Sequence, residues 1–230
     1  DSALLPKYPF SNNEGGGWLD ANADGLPDIL LSDGSAGLHL MLNRGTVENR
    51  FENADAAWNL GTGGIGVGNG DFLSIADFNT DGFPDFLYNL GRGILARNVG
   101  GKRFEALEGG VSYRSENPWK LGTCFGDFDN DGDLDLFVPQ NGVPHLYLNA
   151  GEGVFANIIN DTGDLAVRGV NARSAAWGDV NLDGKLDLLV GYPQGGAKLF
   201  LNSGNNVFLE AEDTGLQNFT PANGTTGMAF

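Results

Sequence analysis

Short apolar runs of about four to seven residues, bounded by glycine and asparagine, recur along the whole chain. They come in a fixed order. A run such as FLSIA (72–76), TCF (123–125) or AAW (175–177) leads into an acidic stretch. An apolar run then follows directly: ILL (29–31), FLY (86–88), LFV (136–138) and LLV (188–190). A second run ends in asparagine, at Asn43, Asn98, Asn149 and Asn202, and a Gly-containing turn leads to Phe51, Phe104, Phe155 and Phe208. Segments this short, with this punctuation, predict strands and are too short for stable helices. No window of ten or more residues has helical periodicity. One unit therefore reads as strand, acidic loop, strand, turn, strand, Gly turn, strand.

The acidic stretches carry the repeat. They are DANADGLPD from Asp20, DFNTDGFPD from Asp77, DFDNDGDLD from Asp127 and DVNLDGKLD from Asp179, and all fit D-x-[DN]-x-D-G-x-x-D without a gap. Four short strands in a unit of about 53 residues match a blade of a β-propeller. A β-solenoid is the second choice, because its coils repeat at shorter periods. The expected fold is all-β: a β-propeller of four four-stranded repeats at about 1–70, 71–120, 121–172 and 173–224, with an incomplete fifth unit at 225–230.

These units resemble the FG-GAP/VCBS repeats of integrin-α-type calcium-binding propellers. Within that group, GDFDNDGDLDLFV and HLYLNAGEGVF are most similar to the cartilage-acidic-protein and ASPIC/UnbV type of secreted protein. The resemblance covers essentially the whole chain, and it implies that the first strand of each unit lines a central channel with the acidic loop after it.

Charge sharpens the picture. The 230 residues carry a net charge of −17, and nearly half of the 30 acidic residues lie in the four loops; the rest nearly balance the 13 Lys and Arg. No basic surface is available for nucleic acid or an anionic membrane. No apolar run approaches the roughly 18 residues that cross a bilayer, so membrane insertion is not expected. The chain opens on DSALLPKYPF, which has neither a basic start nor an apolar h-region, and no signal peptide is read there.

Oxygen side chains at alternate positions converge on a hard cation if the backbone curls, and the glycine at position six allows the curl. The first loop offers Asp20, Asn22, Asp24 and Asp28 with the Leu26 carbonyl. The second offers Asp77, Asn79, Asp81 and Asp85 with the Phe83 carbonyl. The third offers Asp127, Asp129, Asp131 and Asp135 with the Asp133 carbonyl, and the fourth Asp179, Asn181, Asp183 and Asp187 with that of Lys185. The family resemblance supports the same positions. Many flexible oxygens favour Ca²⁺ over Mg²⁺, and the absence of His and Cys disfavours transition metals. About four Ca²⁺ are expected, one per loop, in a mainly structural role at affinities suited to extracellular calcium, with the third loop tightest. Position twelve holds Leu31, Tyr88, Val138 and Val190 rather than glutamate, so these are not EF-hands. Asp-Gly hairpin turns that bind nothing are the plain alternative, disfavoured by four matches in phase.

Other signals are weaker. His39 and His145 lie four residues before the repeat asparagine, the slot of Ile94 and Lys198, and read as variable strand positions. Trp18, Ile75, Phe125, Trp177 and Phe230 share one inner-strand slot and read as core packing, with an aromatic sugar site as the alternative. The single cysteine, Cys124, excludes an internal disulfide and reads as a buried thiol. Asn160, Asn218 and Asn223 begin glycosylation sequons. No GxSxG, HExxH or P-loop is present and no general base is identified, so no enzyme is expected.

GMAF at 227–230 repeats the start of an inner strand, and the segment ending at Trp18 aligns without gaps to the one ending at Phe230. Three readings stay open: part of a longer propeller, a small closed ring, or head-to-tail self-assembly in which the overhanging strand completes another copy. The expected function is a calcium-stabilised, extracellular or periplasmic binding or scaffold module with a protein or glycan ligand on a loop face, through 59–71 or 109–120. A self-assembling structural subunit and a carbohydrate-binding or polysaccharide-acting propeller are the alternatives.

Overall fold

The computed structural model describes residues 13–33, 37–48, 50–61, 64–66, 72–89, 92–107, 110–113, 122–166, 170–192 and 196–216. The chain divides into two compact units, Asp1–Arg114 and Ser115–Phe230, each holding two four-stranded antiparallel sheets. In the first unit, one sheet joins Asn13–Leu19, Asp28–Asp33, Gly37–Asn43 and Phe51–Asn53 in sequence order. The other joins Phe72–Ala76, Asp85–Asn89, Gly93–Asn98 and Phe104–Ala106. In the second unit, one sheet joins Cys124–Gly126, Asp135–Val138, His145–Asn149 and Phe155–Asn157. Its companion joins Ser174–Gly178, Asp187–Tyr192, Gly196–Asn202 and Phe208–Glu210. The strand, loop, strand, turn, strand order read from the sequence is thus the order of each sheet. Two features of the second unit are additional: a short ribbon pairing Asn141–Gly142 with Val170–Asn171, and two 3-10 turns at Ile159–Asp161 and Asp164–Ala166.

Within each unit the sheets pack through side chains that the repeat pattern supplies. In the first, Leu30, Leu40, Phe86, Tyr88 and Phe104 form one buried cluster with Trp58, and the rings of Phe86 and Phe104 meet edge to face at 4.8 Å. In the second, Phe128, Phe137, Leu188, Phe200 and Phe208 do the same. Within each unit the inner strands approach closely because the first presents a glycine to the second. A Cβ on Gly17 would lie 2.6 Å from Ile75 Cδ1, and one on Gly126 would lie 2.5 Å from Trp177 Cδ1.

The shared aromatic slot divides accordingly. Trp177 stacks on Phe128, with centroids 5.8 Å apart and an interplanar angle of 15°, and joins the second core. Trp18 departs from the expected core packing: it is 65% exposed, leaning on Phe51 at 6.5 Å. The slot is filled by packing on the preceding inner strand, which the described residues do not supply for Trp18. Phe230 and the rest of 225–230 lie outside the described residues.

Candidate functional site

All four acidic loops adopt one backbone course. Position four has positive φ without being glycine, at Ala23 (56°), Thr80 (55°), Asn130 (62°) and Leu182 (60°). Position six is glycine at φ of 82° to 97°. Left-handed residues of the first kind are uncommon, so their recurrence marks a loop held in shape by its own bonds.

Those bonds come from the carboxylates. The position-one aspartate accepts from the backbone N–H groups of positions five and six. Asp24 and Gly25 donate to Asp20 at 3.0 and 2.8 Å, and Asp131 and Gly132 to Asp127 at 3.0 Å each. Asp77 and Asp179 hold their loops in the same way. Position five then accepts from the N–H of position seven: Leu26, Phe83, Asp133 and Lys185.

Position nine is the deep end. Asp28, Asp85, Asp135 and Asp187 are all essentially inaccessible to solvent. Each accepts from the backbone N–H of the repeat asparagine, at 2.7 Å (Asn43), 2.6 Å (Asn98), 2.9 Å (Asn149) and 2.8 Å (Asn202). Burial pushes Asp28 upward, and it pushes Asp85 and Asp135 up to about 7 against the relief their backbone donors give. The Oδ2 of Asp85 is buried and lacks a hydrogen bond of normal geometry, so the Phe78 amide offsets little of that cost.

The third loop stands apart. Asp127, Asp129 and Asp135 each place a carboxylate oxygen within 4.8 Å of the others. Burial and then the neighbouring Asp131 raise the pKa of Asp129. In the other loops position three is asparagine, and its amide turns onto the position-five carboxylate: Asn22 on Asp24 at 2.9 Å, Asn79 on Asp81 at 3.1 Å, Asn181 on Asp183 at 3.3 Å. In the fourth loop Lys185 adds a side-chain contact to Asp183 at 2.9 Å, which lowers the Asp183 pKa. An all-oxygen donor set, buried carboxylates and the poorly satisfied Oδ2 of Asp85 fit a hard divalent cation. The twenty residues singled out in the sequence are all placed in these loops; the three-carboxylate convergence belongs to the third.

The asparagines are the functional residues whose role the sequence left unread. Besides the bond to position nine, each accepts a turn N–H at its Oδ1, from Gly45, Gly101, Gly151 and Gly204. Each also donates from Nδ2 to the carbonyl of position eight, in Pro27, Pro84, Leu134 and Leu186. Only their recurrence at the end of the third strand signalled them.

The remaining candidates resolve locally. His39 Nδ1 lies 2.6 Å from Asp55, and His145 meets Gln140 at 2.8 Å and Asn157 at 2.5 Å, each within its own repeat. Burial pushes the Cys124 thiol upward, away from the thiolate. Asn160 is exposed, but the hydroxyl of its sequon threonine, Thr162, is buried on the Ile159 carbonyl at 2.7 Å. Asn218 and Asn223 lie outside the described residues. Of the two proposed ligand loops, Leu60, Ile65 and Tyr113 pack inward, and 67–71 and 114–120 are outside the described residues.

Among known proteins, the chain is 33% identical over 136 residues to cartilage acidic protein 1 of Xenopus tropicalis, which covers 57% of this chain and 19% of that protein. A lectin of Agrocybe aegerita that recognises non-reducing terminal N-acetylglucosamine superposes with a TM-score of 0.56 at 20% identity, over 87% of this chain and 52% of the lectin. The chain thus spans about a fifth of the curated relative and half of the lectin. Residues 20–88 and 127–190 match the FG-GAP-like repeat; both matches begin on the first aspartate of a loop and together take in more than half of the chain, which belongs to this family.

Proposed function

We propose that this chain is a calcium-stabilised β-propeller domain, or part of one, that works outside the cytoplasm as a non-catalytic binding or scaffold module. The observation that carries the reading is the convergence of Asp127, Asp129 and Asp135 beneath a backbone already curled around them. Asp131 and the Asp133 carbonyl complete the donor set of that loop, and the equivalent residues do so in the other three. Bound calcium supplies the positive charge that buried carboxylates lack, so it stabilises the folded chain by linkage. The four sheets are its blades. Isothermal titration with CaCl₂ after chelation tests the reading, together with thermal unfolding in EDTA and in millimolar calcium. Saturable heat and a rise in melting temperature are expected; identical melting in both buffers refutes it.

A second reading, glycan binding, is favoured by a cleft of about 430 Å³ beside the third loop. Asp129, Asn130, Lys185, Asn205 and Asn206 line it with both donors and acceptors, which suits a polyhydroxylated ligand. The fold shared with the lectin is compatible with this. Saturation-transfer NMR against a glycan panel, with and without calcium, tests it, and no transfer from any glycan counts against it.

A further inference from the structure

We infer that the acidic loops are coupled in pairs, the first with the second and the third with the fourth, so that the members of a pair take up calcium cooperatively. The inference rests on the calcium reading and adds the residues that link the loops. Asn98 holds two loops at once. Its backbone N–H donates to Asp85 in the second loop at 2.6 Å, and its Nδ2 donates to the Ala21 carbonyl, position two of the first loop, at 2.8 Å. Asn202 does the same in the other unit, donating to Asp187 in the fourth loop at 2.8 Å and to the Phe128 carbonyl of the third at 2.8 Å.

Both asparagines are buried, Asn98 at 0% and Asn202 at 3% exposure, and neither can swing away without stranding a carbonyl. Whatever fixes Asp85 therefore fixes the strand carrying Asn98, and Asn98 fixes the backbone of the first loop. The turn that follows presses on the same place. A Cβ on Gly101 would lie 3.2 Å from the Asn22 backbone, so this turn and the ligand segment of the first loop have no slack between them.

The pairs are not equal. Asn130, at position four of the third loop, donates to the Gly184 carbonyl of the fourth at 2.9 Å. The first loop has Ala23 at that position and no side chain to reach across. Among the described residues the third and fourth loops are thus joined by two side-chain bonds and the first and second by one, so the coupling is stronger in the second unit.

The loop glycines report each site separately, because Gly25, Gly82, Gly132 and Gly184 donate their N–H groups to the position-one carboxylates at 2.8 to 3.0 Å. In a ¹H–¹⁵N titration of the whole chain with CaCl₂, Asp77→Ala, which disables the second loop, is expected to move the Gly25 midpoint to about fivefold higher calcium. In an Asn98→Ala background the same substitution is expected to move it no further, as a double-mutant cycle requires. In the second unit, Asp179→Ala is expected to move Gly132 by a larger factor, and the surface change Asn130→Ala to reduce that factor without threatening the fold. A Gly25 midpoint indifferent to Asp77→Ala in the otherwise unchanged chain, or a Gly132 response unaltered by Asn130→Ala, overturns the coupling. Four glycines that shift with calcium but independently sink the coupling alone; four that do not respond at all sink the calcium reading with it.

Discussion

Replacing Asn98 by alanine should destabilise the first unit more than replacing Asn43, although the two occupy the same place in successive repeats. Both side chains give up a bond to their own position-eight carbonyl, 3.4 Å long for Asn98 and 3.0 Å for Asn43, and both give up a 3.0 Å bond from a turn glycine. Asn98 alone also loses its 2.8 Å bond to the Ala21 carbonyl in the loop of the neighbouring repeat. One net hydrogen bond is worth about 0.5–1.5 kcal/mol, and leaving a buried carbonyl unpaired costs about 1–3 kcal/mol. The extra loss for Asn98→Ala is therefore about 1–2 kcal/mol. Urea unfolding in EDTA measures it without a contribution from metal, followed by fluorescence that includes the buried Trp58 of the same unit. An unchanged m-value with a lower midpoint for Asn98→Ala is the expected result. Equal midpoints for the two variants would refute the reasoning, because they would mean that the bond between sheets contributes nothing measurable.

Gly126→Ala should cost about 1–3 kcal/mol through the clash with Trp177, and it should cost less in a Trp177→Ala background, where the ring is gone, as thermal melts of the two pairs would show. Burial holds the His145 pKa below its ordinary value, so the unfolded chain binds that proton first as pH falls. The stabilisation is present above pH 6.5 and is lost as pH falls through the folded-state pKa; His145→Gln should flatten that part of a stability–pH profile for the second unit. Calcium titration should show Asp127→Ala losing more calcium-dependent stabilisation than Asp20→Ala, because among the described residues the third loop is the one that brings three carboxylates within 4.8 Å of one another; equal losses would contradict this. Lys185→Ala should raise the calcium affinity of the fourth loop modestly, since it removes a cation already paired with Asp183, and the Gly184 amide reads it directly.

Local regularities decided much of this protein in the sequence. Strand and loop boundaries were legible because short apolar runs between glycine and asparagine admit little else, and the sheets follow their order. The loops were legible because a nine-residue carboxylate pattern contains its own geometry: position one caps the N–H groups of positions five and six whatever surrounds it. What touches what across sheets was not legible, since a repeat looks alike in every copy and its neighbours differ. Trp18 and Trp177 fill one slot, yet one is exposed and the other lies on Phe128. Phe51, Phe104 and Phe208 follow the same turn, and only the latter two are fully buried, against aromatic side chains from the preceding repeat. The asparagines show it best. Sequence fixed their spacing, but only the packing of one sheet on the next could turn Asn98 toward a carbonyl 77 residues away, because that bond exists only where two repeats meet.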